Sequence, residues 1–264
     1  MSVDVSGDAS ALEVRSGPGY WLRGYTAMLR FEIANLRTYL MLALIIQVLM
    51  GAGMAVMYGY YFGDLEPARQ TFLVTGIPAL ALVPIGLVMV PSSIMEHKLR
   101  DTYDYVWSLP VPRMTSAMAT FTIFTALAIP GTVISLVVAG MAYDVDLSVS
   151  LAVAPAILLT AAMATSVGYA IGHAVPEPRV INLIGNVLIF LVLLFSPIVV
   201  AIEQFPDWWA AVHRVLPFWH MSVVIRGGLT DGLIATSVTA SYLVLAAWTV
   251  AAWSLTAWVV GRRR

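Results

Sequence analysis

Residues 71–93 read TFLVTGIPALALVPIGLVMVPSS, a stretch without one charged side chain. At about 1.5 Å per residue, roughly 20 apolar residues in a helix cross a hydrocarbon core ~30 Å thick. In water, Pro78, Pro84 and Pro91 would argue against a helix, because each removes a backbone donor. In lipid the stretch must still be helical, since only a helix or a closed barrel satisfies its own backbone, and neighbouring helices can serve the carbonyls that prolines free. The prolines therefore predict kinks in this span.

Working outward, five more stretches have the same character: Thr38–Tyr61, Thr115–Met141, Leu151–Gly172, Ile181–Ile202 and Ser237–Val260. Pro130, Pro155 and Pro197 fall within three of them. The whole chain agrees with this pattern: of 264 residues, 60% are hydrophobic and 11% charged, too apolar for an ordinary water-soluble domain. The fold expected is an all-α integral membrane protein with six transmembrane helices. Residues 1–19 are polar and rich in Ser, Asp and Gly, with no apolar core of a signal peptide, and are expected to be a disordered cytosolic tail. Residues 20–264 are expected to form one membrane domain.

A net charge of -1 argues against a nucleic-acid partner. Absence of cysteine excludes disulfides, thiolate metal sites, iron–sulfur ligation and cysteine nucleophiles in this chain. Of the fourteen Lys and Arg residues, Arg15, Arg23, Arg30, Arg37, Lys98, Arg100, Arg113, Arg179, Arg262, Arg263 and Arg264 fall on one side of the predicted spans. Arg69, Arg214 and Arg226 fall on the other. That bias predicts that both termini are cytosolic in a cell (plasma or inner) membrane. The segment with Asp144 and Asp146 lacks a basic residue, and Tyr60, Tyr61, Trp208, Trp209, Trp219 and Tyr242 lie near the predicted outer boundaries, as an aromatic belt would.

Ahead of the first span, Leu22, Tyr25, Leu29, Ile33 and Leu36 share one helical face, while Arg23, Arg30 and Arg37 recur every seven residues on another stripe. This predicts an amphipathic helix in the cytosolic interface, arginines among anionic head groups, with Glu32 falling on its apolar side. A plain helical extension of the first span is the alternative. Between spans two and three, residues 96–113 read EHKLRDTYDYVWSLPVPR. The segment concentrates Glu96, Lys98, Arg100, Asp101, Asp104 and Arg113 in a chain poor in charge. A short helix with Tyr103, Tyr105 and Trp107 interleaved would offer aromatic anchors and a charged rim to a protein partner, ended by Pro110 and Pro112. A solvated charged loop is the plainer alternative. Between spans five and six, residues 196–232 read SPIVVAIEQFPDWWAAVHRVLPFWHMSVVIRGGLTDG. This is too apolar for a solvated loop and too interrupted by Pro206 and Pro217 for another span, so short outer re-entrant helices are expected.

In the order Glu96, Arg100, Thr102 and then Leu109-Pro110-Val111-Pro112-Arg113, the inner segment resembles the coupling-helix region of ABC-2 type permeases, with Asp101 where that family usually has glycine. The outer segment resembles the same family in Ser196-Pro197, Phe205-Pro206 before an aromatic pair, Leu216-Pro217 after it, and Arg226 followed by glycines. The resemblance implies the permease subunit of an ATP-binding-cassette exporter that moves an amphipathic drug, a lipid or a lipid-linked molecule outward. It implies a second permease unit, identical or paralogous, and two copies of a cytosolic ATPase docked on Glu96, Lys98, Arg100, Asp101, Thr102, Tyr103, Asp104, Pro110 and Arg113. Phe205, Trp208, Trp209 and Trp219 are candidates for an outer gate or substrate path, against the plainer role of interfacial anchors.

No phosphate loop ending in Gly-Lys-Ser or Gly-Lys-Thr occurs, since Lys98 follows His97 and is the only lysine. This chain is therefore expected to have no enzymatic activity or cofactor of its own, with ATP and Mg on the partner. His97, His173, His213 and His220 are scattered without an HExxH pattern, so no metal site is expected. An ion-coupled secondary transporter or a membrane scaffold is the alternative reading. The first usually needs a charge at mid-membrane depth, where these spans offer Gln47, Asn182 and Asn186, which serve equally to bridge helices. Gly59 with Gly63, and Gly168 with Gly172, have the small-residue spacing of a close helix contact, expected at a permease dimer interface.

Overall fold

A computed structural model describes residues 17–62, 66–100, 106, 108–109, 111–143, 147–230 and 237–262, and all the regular elements among them are helices. The first, α1, runs Pro18–Phe62. Next come α2 (Pro67–Pro84), one π turn (Ile85–Met89) and α3 (Val90–Leu99), end to end. They are followed by α4 (Arg113–Ala142), α5 (Val153–Ala174) and α6 (Pro178–Phe195). A 3-10 turn (Ile202–Gln204) then leads to α7 (Asp207–His213), α8 (Pro217–Leu229) and α9 (Val238–Arg262). Among the described residues six stretches are long and apolar enough to cross a membrane: Pro18–Tyr58, Pro67–Leu99, Met114–Ala142, Val153–Ala174, Pro178–Phe195 and Val238–Val259. They coincide with the six expected spans, and the chain is a multi-pass membrane protein.

Prolines set three boundaries. The fifth span ends at Phe195, not at Ile202 as expected, because Pro197 pushes Ser196 out of the helical region (φ -86°, ψ 138°). Pro206 precedes α7 and Pro217 opens α8, where a missing N–H costs nothing. The expected kinks in the second span take the form of the π turn between Pro84 and Pro91, a common response to an interrupted helical ladder. The Ile85 N–H turns back to Leu82 O, and the Ala81 carbonyl instead accepts from Gln47 Nε2 of α1 at 2.6 Å. Tyr39 of α1 likewise donates to Met89 O at 3.0 Å. Gln47 thus bridges helices, as does Asn182, which accepts from Ser92 Oγ at 2.9 Å; Asn186 is exposed.

The α2–α3 rod is the centre of the bundle, buried almost throughout, while α1, α6 and α9 leave most of their surfaces open. Around it α1 packs along α4, α5 along α9, and α8 against α2. The open surfaces are aliphatic: Met41, Leu42, Ile45 and Leu49 on α1, and Leu183, Val187, Phe190 and Leu194 on α6, are all exposed. The buried stripe of α1 is instead Gly24, Met28, Glu32, Leu36, Ala43, Gln47, Gly51 and Ala55. Small and polar side chains face inward because lipid solvates large aliphatic ones as well as a neighbouring helix does.

The N-terminal segment takes the form of the expected alternative, a helical extension of the first span. It continues into the first span as one helix of 45 residues, roughly 67 Å long and over twice the hydrocarbon thickness. Of the expected apolar stripe Leu22 and Ile33 are exposed, whereas Leu36 is buried together with Glu32. Arg23, Arg30 and Arg37 are all exposed. Residues 1–16 of the expected tail lie outside the described residues.

Close backbone approach fixes the rod in place. A Cβ on Gly168 of α5 would stand 1.9 Å from the Gly86 carbonyl oxygen, and one on Gly86 would stand 2.5 Å from Ala164 O. A Cβ on Gly185 of α6 would meet Leu87 O at 2.4 Å. Val90 donates back to Ile85 O and Pro91 has no N–H, so these carbonyls belong to the turn where the ladder is broken; close Cα–H···O contacts suit them. Gly168 and Gly172 thus face Gly86, Val90 and Ile94 of the same chain, which corrects their expected place at a dimer contact; Gly63 lies outside the described residues. Overpacking at such a contact costs about 1–3 kcal/mol or more, so Gly168→Ala is expected to lower the melting temperature of the detergent-purified protein by several degrees. Gly53, which has nothing within 4 Å, is the control: Gly53→Ala is expected to leave the melting temperature unchanged or raise it, by up to ~1 kcal/mol of helix propensity.

Candidate functional site

At the end of the bundle where α1 begins, α3 finishes in Glu96, His97 and Lys98, and each points a different way. Lys98 Nζ donates to Gly172 O at 2.8 Å and to Val175 O at 2.7 Å, a cation placed on the carbonyl end of α5 where the helix dipole favours it. Its role in this fold is a cap. His97 Nε2 lies 3.3 Å from Glu32 Oε2, and Glu32 is only 3% exposed. Around that pair a cavity of about 30 Å³ is lined by Ser116 and Thr120 of α4 and by Tyr169 and His173 of α5, room for one water. Glu96 pairs with Arg100 one turn on, and Arg100 is 68% exposed. These two face a second cavity of about 380 Å³ with Asn35, Thr38, Tyr39 and Leu42 of α1.

The end of α3 is therefore tied to two other helices through consecutive side chains, to α1 by His97 and to α5 by Lys98, a junction that residue spacing alone does not reveal. Of the expected interface, Glu96 and Arg100 are brought together here, while Lys98 is turned away onto the end of α5. Asp101, Thr102, Tyr103, Asp104 and Pro110, with Tyr105 and Trp107, lie outside the described residues, as does the side chain of Arg113, whose backbone opens α4.

At the opposite end the aromatic residues divide into two groups. Trp209 Nε1 donates to Phe195 O at 3.0 Å, and its ring meets Trp208 and Phe195 edge-on. Its other neighbour is His213, with ring centroids 5.0 Å apart; Phe205 flanks His213 on another side. Trp208 is exposed. Trp219, by contrast, is buried with Ile202, Ala210 and Val223. Phe205, Trp208 and Trp209 form one cluster at the end of α6, and Trp219 holds α8 in the core.

Arg226, counted on sequence among the outer basic residues, is 2% exposed. From α8 it reaches across to α2. Its Nε donates to Thr75 Oγ1 at 3.1 Å, and its Nη2 donates to Phe72 O at 3.0 Å and Ile198 O at 2.8 Å. The guanidinium carbon stands 3.6 Å from the centre of the Phe72 ring, a cation–π stack. Gly76 makes room: a Cβ there would come within 3.2 Å of Nη2 and 2.6 Å of Ile198 O. All these acceptors are neutral, and among the described residues no carboxylate pairs with Arg226. Only a fork with several donors ties three segments at once. Hydrogen bonds to a charged group contribute about 1.5–3 kcal/mol, so Arg226→Ala is expected to destabilise the detergent-solubilised protein on that order, read as thermal unfolding, with Arg226→Lys intermediate. Equal melting of all three proteins would deny Arg226 this role.

Among the described residues no group of three or more His, Cys, Asp or Glu side chains is arranged to hold a metal ion. The geometry is that of a helical bundle with a junction of helices at one end and a buried cation at the other.

Comparison with known proteins agrees with this. Residues 23–230, from the start of α1 to the end of α8, match the family described as ABC-2 type transporter. No curated protein matches the chain. The chain belongs to the ABC-2 type transporter family, whose members are transmembrane transport subunits not themselves catalytic.

Proposed function

We propose that this chain is the permease subunit of an ATP-binding-cassette exporter, driven by a separate cytosolic ATPase. It works beside a second permease unit, identical or paralogous, with two ATPase copies below. Both termini face the cytosol of a plasma or inner membrane, and Arg23, Arg30 and Arg37 lie among lipid head groups. The cargo is an amphipathic drug, a lipid or a lipid-linked molecule carried outward.

The observation that carries this reading is the junction at the end of α3. A push delivered to residues 96–113 reaches α1 through His97 and Glu32, α5 through Lys98, and the central rod directly, because α3 is its last segment. Packed helices respond to such a push as rigid bodies, which is how a small displacement becomes a change of access. The exposed basic residues Arg23, Arg100, Arg179 and Arg262 sit at helix ends around this junction, as a cytosolic face requires. ATP and Mg belong to the partner.

Mass spectrometry of the protein purified from its native membrane in mild detergent provides the test. A Walker-motif ATPase should co-purify at near-equal stoichiometry and be lost with Glu96→Lys and Arg100→Glu. Because an exposed ion pair contributes less than about 1 kcal/mol, both variants should melt within a few degrees of the parent while transport falls. A clean preparation of this chain without an ATPase would replace the exporter by an ion-coupled carrier or a scaffold. Variants that keep the ATPase and transport normally would move the coupling surface elsewhere.

A further inference from the structure

At the end opposite the junction, a cavity of about 430 Å³ opens between the end of α1, the first turns of α2 and the segment after α6. Tyr58, Phe72, Val199 and Val200 supply its apolar wall, and Arg69 and Gln204 are polar groups in its lining. The volume lies within the range of small-molecule sites, which combine mostly apolar walls with a few placed polar groups.

One guanidinium group lines this cavity and a second stands behind its wall, and among the described residues neither forms an ion pair. Arg69 is exposed and makes no hydrogen bond, ion pair or ring contact with another described residue. Arg226 stands behind the wall, stacked on the ring of Phe72, which lines the cavity, and bonded to Phe72 O and to the carbonyl of Ile198, the residue before Val199, so the second cation is fixed at the cavity's back. Glu66, Glu203 and Asp207 lie at the same end without lining it. Fixed positive charge beside low-dielectric walls focuses a positive potential into the opening. Such a cavity repels an ammonium group despite its two aromatic rings and attracts an oxyanion, which a guanidinium binds in two-point fashion. Its apolar wall demands more than an oxyanion.

We propose that this cavity binds an anionic amphiphile, its phosphate or carboxylate head on Arg69 and its chain along Tyr58, Phe72, Val199 and Val200. The proposal rests on the reading of the chain as an exporter permease and names the charge class of its cargo: acidic lipids and acidic amphiphiles, not cationic drugs.

Binding to the full chain, purified in dodecyl maltoside without any ATPase, tests it. The probes are lysophosphatidylglycerol, lysophosphatidylcholine and inorganic phosphate, followed by native mass spectrometry and by equilibrium dialysis. Lysophosphatidylglycerol should bind saturably and about tenfold more tightly than lysophosphatidylcholine, whose ammonium meets the arginines. Arg69→Gln should erase that preference. Ala201→Trp, which fills the cavity and leaves its charge alone, should abolish binding. Arg214→Gln, at an exposed arginine of the same end outside the cavity, should change nothing. Equal binding of the two lysolipids, unaltered binding in Arg69→Gln, or displacement by an equal concentration of inorganic phosphate would each overturn the proposal. Because no ATPase takes part, saturable binding to a chain that recruits no ATPase would remove the exporter and leave the site. Recruitment of an ATPase without lysophosphatidylglycerol binding would do the reverse.

Discussion

The bundle depends on one contact between backbones, where the π turn at Ile85–Met89 lies against Gly168 of α5 and Gly185 of α6. Backbones come this near only where at least one of the facing residues carries no side chain, as Gly86, Gly168 and Gly185 do. The contact also falls where Pro84 and Pro91 have broken the regular ladder, so the carbonyls of Gly86 and Leu87 meet Cα atoms of the neighbouring helices. With the rod fixed at its middle, its two ends carry polar groups: Glu96 to Arg100 at one, Phe72 beside Arg226 at the other. A displacement at either end has a packed fulcrum to act against.

Lipid as solvent reverses the usual signs of burial. Large apolar residues line the outside of α1 and α6 at no cost, and the interior combines the aliphatic side chains of the rod, such as Ile77, Leu80, Leu82 and Ile85, with alanine, glycine, threonine and a few strongly polar groups. Three of these polar groups answer particular gaps. Gln47 serves the Ala81 carbonyl released by the π turn, Tyr143 donates to Ala55 O at 2.9 Å, and Arg226 joins α2, α8 and the segment after α6 through neutral acceptors alone. Burying a charge is expensive unless hydrogen bonds replace its hydration. A guanidinium fork that replaces them across three segments ties down the outer loop while leaving its positive charge to act on the adjoining cavity.

The inner junction has the opposite design. Glu32 and His97 meet inside the bundle across 3.3 Å, and Glu96 with Arg100 faces outward. One pair links α3 to α1 and the other is open to a partner. This division of labour between neighbouring residues of a single helical turn follows from helical geometry, because consecutive residues point about 100° apart.

What the sequence by itself determined was everything that depends on composition along one helix: a membrane protein, six spans, the kinked second span, and the two proline-divided segments. Lipid imposes length and backbone satisfaction on each span separately, and those constraints are written in the residues. Boundaries slipped where Pro197 ended the fifth span at Phe195, where the first helix began at Pro18 and where the second span ran on to Leu99. The tertiary structure decided which face of each helix is packed, because in lipid hydrophobicity no longer marks the inside. Leu22, Ile33 and Leu36 look alike in sequence, and only Leu36 is buried. Glu32, at odds with the expected apolar stripe, belongs to the true interior stripe, and Gly168 serves its own chain's rod instead of a second copy. Arg226 lies 151 positions from Thr75, and no local pattern announces a partner at that distance; only the folded bundle brings α8 to α2.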